Sequence, residues 1–378
     1  MKKIQMVDLK SQYEKIKNTV NTSIQEVLDT NTYINGPEVH QFQKNLEDYL
    51  EVKHVIPCAN GTDALQIAMM GLDLKPGDEV ITADFTFAAT VEVIALLQLT
   101  PVLVDVDLDN MNISIEGIQK AITPKTKAIV PVHLFGRAAN MEAIMAIAKE
   151  KNLFVIEDNA QGIGADFKFS DGTKKKTGTI GHIGSTSFFP SKNLGCYGDG
   201  GAIFTNDDAL AHKIRGIVNH GMYERYHHDV VGVNSRLDSI QAAVLNAKLP
   251  LLNDYNKARR EAATKYNSAF EGNKNIIIPE FDSNEDNHVF HQYTLRIINA
   301  DRDGLMQHLL SKGIPCAIYY PIPLHLQKAY LDSRYKEENF VVTNQLVKEV
   351  ISLPMHTELD DEQIKFITDS VLEFLKIN

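Results

Sequence analysis

The sequence lacks several features that mark other classes of protein. Its 378 residues include only three cysteines, Cys58, Cys196 and Cys316, which lie far apart and form no CxxC pair. We therefore expect reduced thiols, with neither a disulfide framework nor a metal site. No apolar run reaches the 18 residues that a membrane helix needs. The basic N-terminus has no apolar signal core, so we expect a cytoplasmic protein without a membrane partner.

Positive charge is also scarce. The chain has 38 Lys and Arg against 49 Asp and Glu, which gives a net charge of −11. Because non-specific nucleic-acid binding depends on neutralising phosphates, no nucleic-acid partner is expected. Apolar residues make up 44% of the chain, a share typical of globular proteins. The length predicts two or three domains. A chain of this length buries enough surface to fold without a disulfide or a structural metal.

The common nucleotide and hydrolase motifs are absent. The sequence has no GxxxxGK[ST], GxGxxG, HExxH or GxSxG, and Gly162-Ile163-Gly164 is too short to count. An NAD-dependent dehydrogenase is therefore disfavoured. His227 and His228 are adjacent, so on a strand they point to opposite faces, and no cluster of cysteines or carboxylates nearby completes a metal site.

The first two thirds of the chain alternates short apolar runs with helix-like stretches. Runs such as 128–132 are apolar at almost every position, which is typical of strands buried on both faces of a parallel sheet. The alternation predicts a doubly wound α/β domain. The predicted strands are 55–59, 79–82, 102–106, 128–133, 154–157, 185–189 and 202–205, and helices are predicted to begin near residues 62, 87, 114, 140 and 207.

The pattern changes after residue 235, where helices become longer and strands fewer. This texture predicts a smaller α+β domain, and we place the boundary near residue 250, giving domains 1–250 and 251–378. The predicted elements of this part are helices at 254–270, 301–312 and 360–375, and strands at 275–278, 292–298 and 314–319.

A possible anion site lies between the first strand and the first helix, in Asn60-Gly61-Thr62-Asp63-Ala64. Such a junction exposes backbone N–H groups at the positive end of a helix, which suits a phosphate, and Thr62 adds a hydroxyl. The alternative is an ordinary helix cap formed by Thr62 or Asp63.

Three charged residues add further chemistry. Asp158 ends a buried strand, where it can hold a protonated pyridine nitrogen or form a simple cap or salt bridge. Lys192 precedes the glycine-rich loop 195–201. In such a dry, constricted place a lysine can lose its proton and attack a carbonyl, whereas the alternative is a surface lysine on a turn. Arg236 is expected in the first turn of a helix, where it opposes the dipole and favours an anion.

These features follow the chain in the order phosphate cup, carboxylate, lysine, and together they suit pyridoxal 5′-phosphate (PLP). The motifs that contain them resemble the sugar-nucleotide aminotransferases of the DegT/DnrJ/StrS family. The resemblance implies an α/β fold, the aspartate aminotransferase-like fold type I of PLP-dependent transferases, with a large domain of mostly parallel sheet. It also implies a homodimer with shared active sites. The motifs are residues 60–65, 157–161, 187–192 and 232–238.

The resemblance also implies roles for individual residues. Lys192 matches the catalytic lysine that forms the Schiff base with PLP. Asp158 matches the residue that binds the pyridine nitrogen, Gln161 the residue near the ring hydroxyl, and Phe87 the aromatic residue that stacks on the ring. The residues that match phosphate ligands are Gly61, Thr62 and Ser187, and Asn234 matches the residue that reaches the phosphate from the neighbouring subunit.

Within the family, the similar segments imply a particular substrate. This is a UDP-linked 2-acetamido-3-keto-hexuronate, aminated with L-glutamate, which becomes 2-oxoglutarate, for bacterial surface polysaccharide such as O-antigen. Arg236 would bind the uronate carboxylate, and Tyr319 and Tyr320 would line the sugar or nucleotide pocket. The alternatives are a 3- or 4-aminotransferase for a dTDP-keto-6-deoxyhexose and a regulatory PLP-binding protein without turnover. Arg137 departs from the family pattern, either altering the substrate set or forming a surface ion pair.

Overall fold

The computed structural model describes residues 3–281 and 286–377. Its helices are α1 (Leu9–Thr30), α2 (Pro37–Leu50), α3 (Gly61–Gly71), α4 (Ala89–Leu96), α5 (Ile115–Ala121), α6 (Met141–Lys151), α7 (Asp208–Ile217), α8 (Ser239–Lys248), α9 (Leu252–Phe270), α10 (Arg302–Ser311), α11 (Val341–Glu349) and α12 (Asp361–Ile377). Its strands are β1 (His54–Cys58), β2 (Glu79–Ala83), β3 (Thr100–Val104), β4 (Thr126–Val130), β5 (Phe154–Asp158), β6 (Asp166–Lys168), β7 (Lys174–Lys176), β8 (Ile183–Ser187), β9 (Gly201–Thr205), β10 (Met222–Glu224), β11 (His227–His228), β12 (Ile276–Ile277), β13 (Tyr293–Ile297) and β14 (Val350–Leu353). Short 3₁₀ turns occupy Leu134–Gly136, Leu249–Leu251, Leu324–Leu326, Lys328–Tyr330 and Glu337–Asn339.

A seven-stranded sheet with the order β1-β9-β8-β5-β4-β2-β3 organises the first two thirds of the chain. Neighbouring strands from β8 to β3 are parallel, whereas β9 is antiparallel to both β1 and β8. The predicted mostly parallel sheet is therefore confirmed, and its seven strands are the seven predicted from the sequence. Several predicted strands begin and end about two residues further along the chain than the observed strands. The reason is that apolar residues continue past the last paired position into the loops.

Helices cover both faces of this sheet. Alternate residues of β4 illustrate the arrangement: Ile129 belongs to the apolar cluster that includes Ile144 of α6, whereas Ala128 and Val130 belong to the cluster that includes Leu65 of α3. Because successive side chains of a strand point to opposite faces, a strand covered on both sides favours apolar residues at successive positions, as in β4. This burial leaves the strand ends as the accessible places for chemistry.

The smaller sheet has the antiparallel order β12-β13-β14. The strand predicted at 314–319 is wrong, because only Ala317 of that segment pairs, in an isolated bridge with Ser352. Pro315 lacks the N–H that a ladder needs. The third strand is instead β14, whose four residues are all buried. It follows α11 directly, so its apolar residues extend the pattern of that helix.

Two further features differ from the expectation around residue 240. Helix α8 begins at Ser239, so Arg236 precedes the helix and does not lie in its first turn. Helix α9 contributes Leu252 to the core beneath the large sheet and Tyr266 to the core of the C-terminal part. The domain boundary near residue 250 stays a prediction. No described helix has both the length and the apolar character needed to span a membrane.

Candidate functional site

The junction between β1 and α3 forms a small cup of backbone donors. Asn60 caps the helix, because its side chain accepts a 2.8 Å hydrogen bond from the N–H of Asp63. The cap is therefore neither Thr62 nor Asp63. The N–H groups of Gly61 and Thr62 have no acceptor in the described part of the chain. Two donors at a positive helix end are thus available to an anion.

Close packing brings Ser187 against this cup. A Cβ atom at Gly61 would lie 2.7 Å from the Cβ of Ser187, and one at Gly201 would lie 2.4 Å from the carbonyl oxygen of Asn60. Only glycine permits such backbone approach. The structure therefore brings Ser187 next to Gly61 and Thr62, and their role as phosphate ligands stays a prediction.

Asp158 lies at the carboxyl end of β5 and is 5% exposed. One carboxylate oxygen accepts a 2.8 Å hydrogen bond from the hydroxyl of Thr90, and the other accepts from the N–H of Ala160 at 3.2 Å. The carboxylate forms no ion pair with any described residue. A buried carboxylate that is held by hydrogen bonds and has no ion-pair partner among the described residues suits a cationic group from outside the chain.

Lys192 lies in the loop after β8, where its N–H bonds the carbonyl of Phe189 at 2.8 Å. Burial lowers the pKa of Lys192 to about 8, although the nearby charge of Asp158 opposes this shift. Roughly a tenth of these amines are then neutral at pH 7, far more than for an ordinary lysine. The side chain is consequently able to act as a nucleophile or base.

An aromatic wall encloses one side of the site. The ring centroid of Tyr320 lies 6.0 Å from that of Phe85, 6.3 Å from that of Phe87 and 6.5 Å from that of Phe135. Gln161 joins this wall, because its amide nitrogen lies 3.2 Å from the Tyr320 hydroxyl and its amide oxygen accepts from the N–H of Phe135 at 2.7 Å. The Phe87 side chain is 57% exposed, which leaves area for stacking against a planar ring.

The segment around Arg236 lies beside the cup. The hydroxyl of Ser235 accepts a 3.1 Å hydrogen bond from the N–H of Ala59, and the exposed Asn234 forms a bridge with Asn219. Arg236 is half-buried, and its guanidinium donates to the side-chain oxygen of Asn219 at 3.4 Å. Among the described residues no carboxylate forms an ion pair with it. Its charge therefore remains available for a ligand.

Two other predicted positions are less central. Tyr319 is half-buried, with its ring centroid 6.0 Å from that of Tyr320. The guanidinium of Arg137 donates to the main-chain carbonyl of Glu280 at 2.8 Å, and no described carboxylate pairs with it. The surface ion pair expected as one alternative for Arg137 is not observed among these residues.

Sequence reasoning missed a buried acid–histidine pair that joins two parts of the site. The carboxylate of Asp84 accepts hydrogen bonds of 2.7 Å from both the backbone N–H and Nδ1 of His325. Burial raises the pKa of Asp84 to about 6. This pair ties the end of β2, just before Phe85 and Phe87, to the turn that follows Tyr320. The two residues are 241 positions apart and share no local motif, so the sequence pattern gives no signal for this contact.

The donor set fits PLP. The free N–H groups suit a phosphate, the carboxylate suits a pyridinium nitrogen, and an amine of lowered pKa suits an aldehyde. Thr86 adds a buried hydroxyl that has no hydrogen-bond partner. The described residues contain no group of three or more His, Cys, Asp or Glu side chains arranged to hold a metal ion.

Proteins of known name resemble this chain over almost their full length. It is 46% identical to UDP-2-acetamido-2-deoxy-3-oxo-D-glucuronate aminotransferase of Pseudomonas aeruginosa, over 96% of this chain and 98% of that one. It is 45% identical to UDP-N-acetyl-3-dehydro-alpha-D-glucosamine 3-aminotransferase of Acidithiobacillus ferrooxidans, over 96% and 95%. It is also 44% identical to a protein of Geobacillus stearothermophilus named pleiotropic regulatory protein, over 99% of both chains.

Solved structures agree with these relatives. An aminotransferase from Brucella abortus superposes with a TM-score of 0.93 and 43% identity, covering 98% of this chain and 99% of that one. NtdA from Bacillus subtilis, with its cofactor PMP bound, superposes with a TM-score of 0.88 and 31% identity, covering 96% and 82%. The model of the DegT/DnrJ/EryC1/StrS aminotransferase family matches residues 14–372. The chain therefore belongs to this family of PLP-dependent aminotransferases.

Proposed function

We propose that the protein transfers an amino group from L-glutamate to the 3-keto carbon of a UDP-linked 2-acetamido-hexuronate. The observation that carries amino transfer is the position of Lys192, with its lowered pKa, near the buried carboxylate of Asp158. Support for the sugar comes from the two relatives named for UDP-linked 3-keto sugars. The unpaired guanidinium of Arg236 favours the uronate over the neutral sugar.

The residues around the cup would hold PLP. The N–H groups of Gly61 and Thr62, with Ser187, would bind its phosphate, and Asp158 would face its ring nitrogen. Gln161 would meet the ring hydroxyl, while Phe87 would cover one face of the ring. When bound, PLP supplies an aldehyde that accepts the amino group and a ring that withdraws electrons from the substrate carbon.

Lys192 would move the protons. Its neutral amine takes the proton from the α-carbon of glutamate in the first half-reaction, and in the second it delivers a proton to C3 of the sugar. A pKa of about 8 suits both directions, because the amine is a competent base and its conjugate acid is a competent donor near neutral pH. Tyr320, partly buried against Phe85 and Phe135, gives this side of the site an apolar wall.

Arg236→Ala tests the choice of sugar. We expect kcat/KM for the UDP-linked 3-keto-uronate to fall roughly 100-fold, because a charge-assisted bidentate contact is lost. For UDP-N-acetyl-3-dehydro-glucosamine, which has no carboxylate, the change should stay within a few-fold. Steady-state assays with both sugars measure the ratio, and Arg334→Ala, at an exposed arginine that pairs with Asp332, is the control. Equal losses for the two sugars would show that Arg236 does not bind the carboxylate.

A regulatory protein without turnover is the second candidate, favoured by the relative of that name. Release of 2-oxoglutarate from glutamate by the PLP-loaded protein separates the two. Release supports the enzyme, whereas PLP binding without release supports the regulator. Parallel assays with dTDP-keto-6-deoxyhexoses test the remaining substrate class.

The assembly we propose is a homodimer in which Asn234 of the partner subunit reaches the phosphate. Its support is a set of exposed apolar side chains near the site: Phe87, Phe189 (52% exposed) and Val231 (86% exposed). Mixing Lys192→Ala with Asn234→Ala chains should restore roughly a quarter of the wild-type activity, since half of the reassorted dimers carry one intact site. No recovery above the separate variants would place both residues in one chain's site.

We also assign the reaction to the cytoplasm, in the synthesis of amino sugars for bacterial surface polysaccharide such as O-antigen. The support is chemical. Cys58, Cys196 and Cys316 are all free thiols, as expected in a reducing compartment, and the proposed donor and acceptor are an amino acid and a nucleotide sugar.

A further inference from the structure

We propose that Thr90 is a positioning residue for Asp158, holding its carboxylate in one orientation. The inference rests on the proposed function, because it assigns a role within the same site. Both side chains are buried, Thr90 fully and Asp158 to 95%, and the Thr90 hydroxyl donates to Asp158 Oδ2 at 2.8 Å.

The contact joins two elements that are far apart in sequence. Thr90 is the second residue of α4, so no turn of the helix precedes it to offer its hydroxyl a carbonyl. Here the hydroxyl instead crosses to the end of β5, 68 residues away in sequence. The bond thereby joins the helix that follows Phe87 to the strand end that presents Asp158.

The two oxygens of the carboxylate have different fixed donors. Oδ2 accepts from Thr90, and Oδ1 accepts from the N–H of Ala160 at 3.2 Å. Together they set the plane of the group. One donor comes from α4 and the other from the turn after β5, so the orientation of the carboxylate depends on how these two elements pack.

The test is a double-mutant cycle on PLP affinity and on the glutamate half-reaction. Thr90→Val removes the hydroxyl at nearly constant shape, and Thr90→Ser keeps it. We expect Thr90→Val to raise the PLP dissociation constant and lower the half-reaction rate, each by roughly 10-fold, as expected for a lost hydrogen bond to a charged group. Thr90→Ser should stay within about threefold of the wild type in both measurements.

The decisive comparison uses Asp158→Asn. In that background, Thr90→Val should change PLP affinity less than about twofold, because the charge that Thr90 serves is gone. An equal effect in both backgrounds, or no effect of Thr90→Val in the wild type, overturns the proposal. Thermal unfolding of the apoprotein shows whether Thr90→Val has a folding defect. If it has, PLP affinity is compared between Thr90→Ser, which keeps the hydroxyl, and Thr90→Ala, which lacks it.

Failure of the proposed function has a different signature. If the wild type binds PLP but releases no 2-oxoglutarate from glutamate, transamination is wrong. The affinity cycle still decides the role of Thr90 in that case, since it needs no turnover.

Discussion

Lys192→Ala should abolish amino transfer, lowering the rate of 2-oxoglutarate release by roughly 10⁴-fold or more, because the variant has lost the group that moves the substrate proton. It should also lose covalent attachment of PLP. Borohydride reduction of the PLP-loaded wild type, followed by peptide mass spectrometry, should find the label on Lys192. The variant should give no label at all.

Lys248 provides the internal control. It is 1% exposed, it donates to the carbonyl of Gly195 at 2.7 Å, and burial lowers its pKa to about 8 as well. Lys248 has a lowered pKa but no phosphate cup or carboxylate beside it to hold PLP, so we expect it to remain unlabelled. The initial rate of labelling at Lys192 should rise with pH and level off above about 8, as the amine loses its proton. Label on Lys248 in place of Lys192 contradicts the assignment.

Asp158→Asn should lower the rate of the glutamate half-reaction by roughly 10³-fold, because a neutral amide does not stabilise a protonated ring nitrogen. The fold should persist. The amide oxygen can still accept from the N–H of Ala160, and the Thr90 hydroxyl can rotate to accept from the amide nitrogen. Rapid mixing with glutamate measures the rate, and circular dichroism checks the fold.

Glu157→Gln is the matched control for this variant. Glu157 is the neighbouring buried carboxylate on β5, but it points away from the cup and accepts from the N–H groups of Gly178, Ile180 and Gly181. It also pairs with His133 at 2.9 Å. The variant should lose roughly 1–3 kcal/mol of stability, with a much smaller effect on rate than Asp158→Asn. A near-normal rate for Asp158→Asn would refute the role of Asp158.

The residues of the site differ in how far the sequence reveals them. Asp158 ends β5, whereas Gly61 and Lys192 follow β1 and β8 within five residues, and each lies in a motif of a few residues. Such motifs are local, because the turn that ends a strand is specified by residues next to it. The same locality explains why all seven strands of the large sheet could be predicted. It also explains why the segment 314–319 is not a strand, because Pro315 has no N–H to donate to a neighbouring strand.

Local residue patterns are enough to predict the α/β class, the cup, the carboxylate and the lysine, since each depends on neighbours within a few positions. The contacts around them became known only from the folded chain: Thr90 with Asp158, His325 with Asp84, and Tyr320 with Gln161. These contacts join segments 68 to 241 residues apart. Their existence depends on how strands and loops pack, and residue types and spacing along the chain do not encode that packing locally.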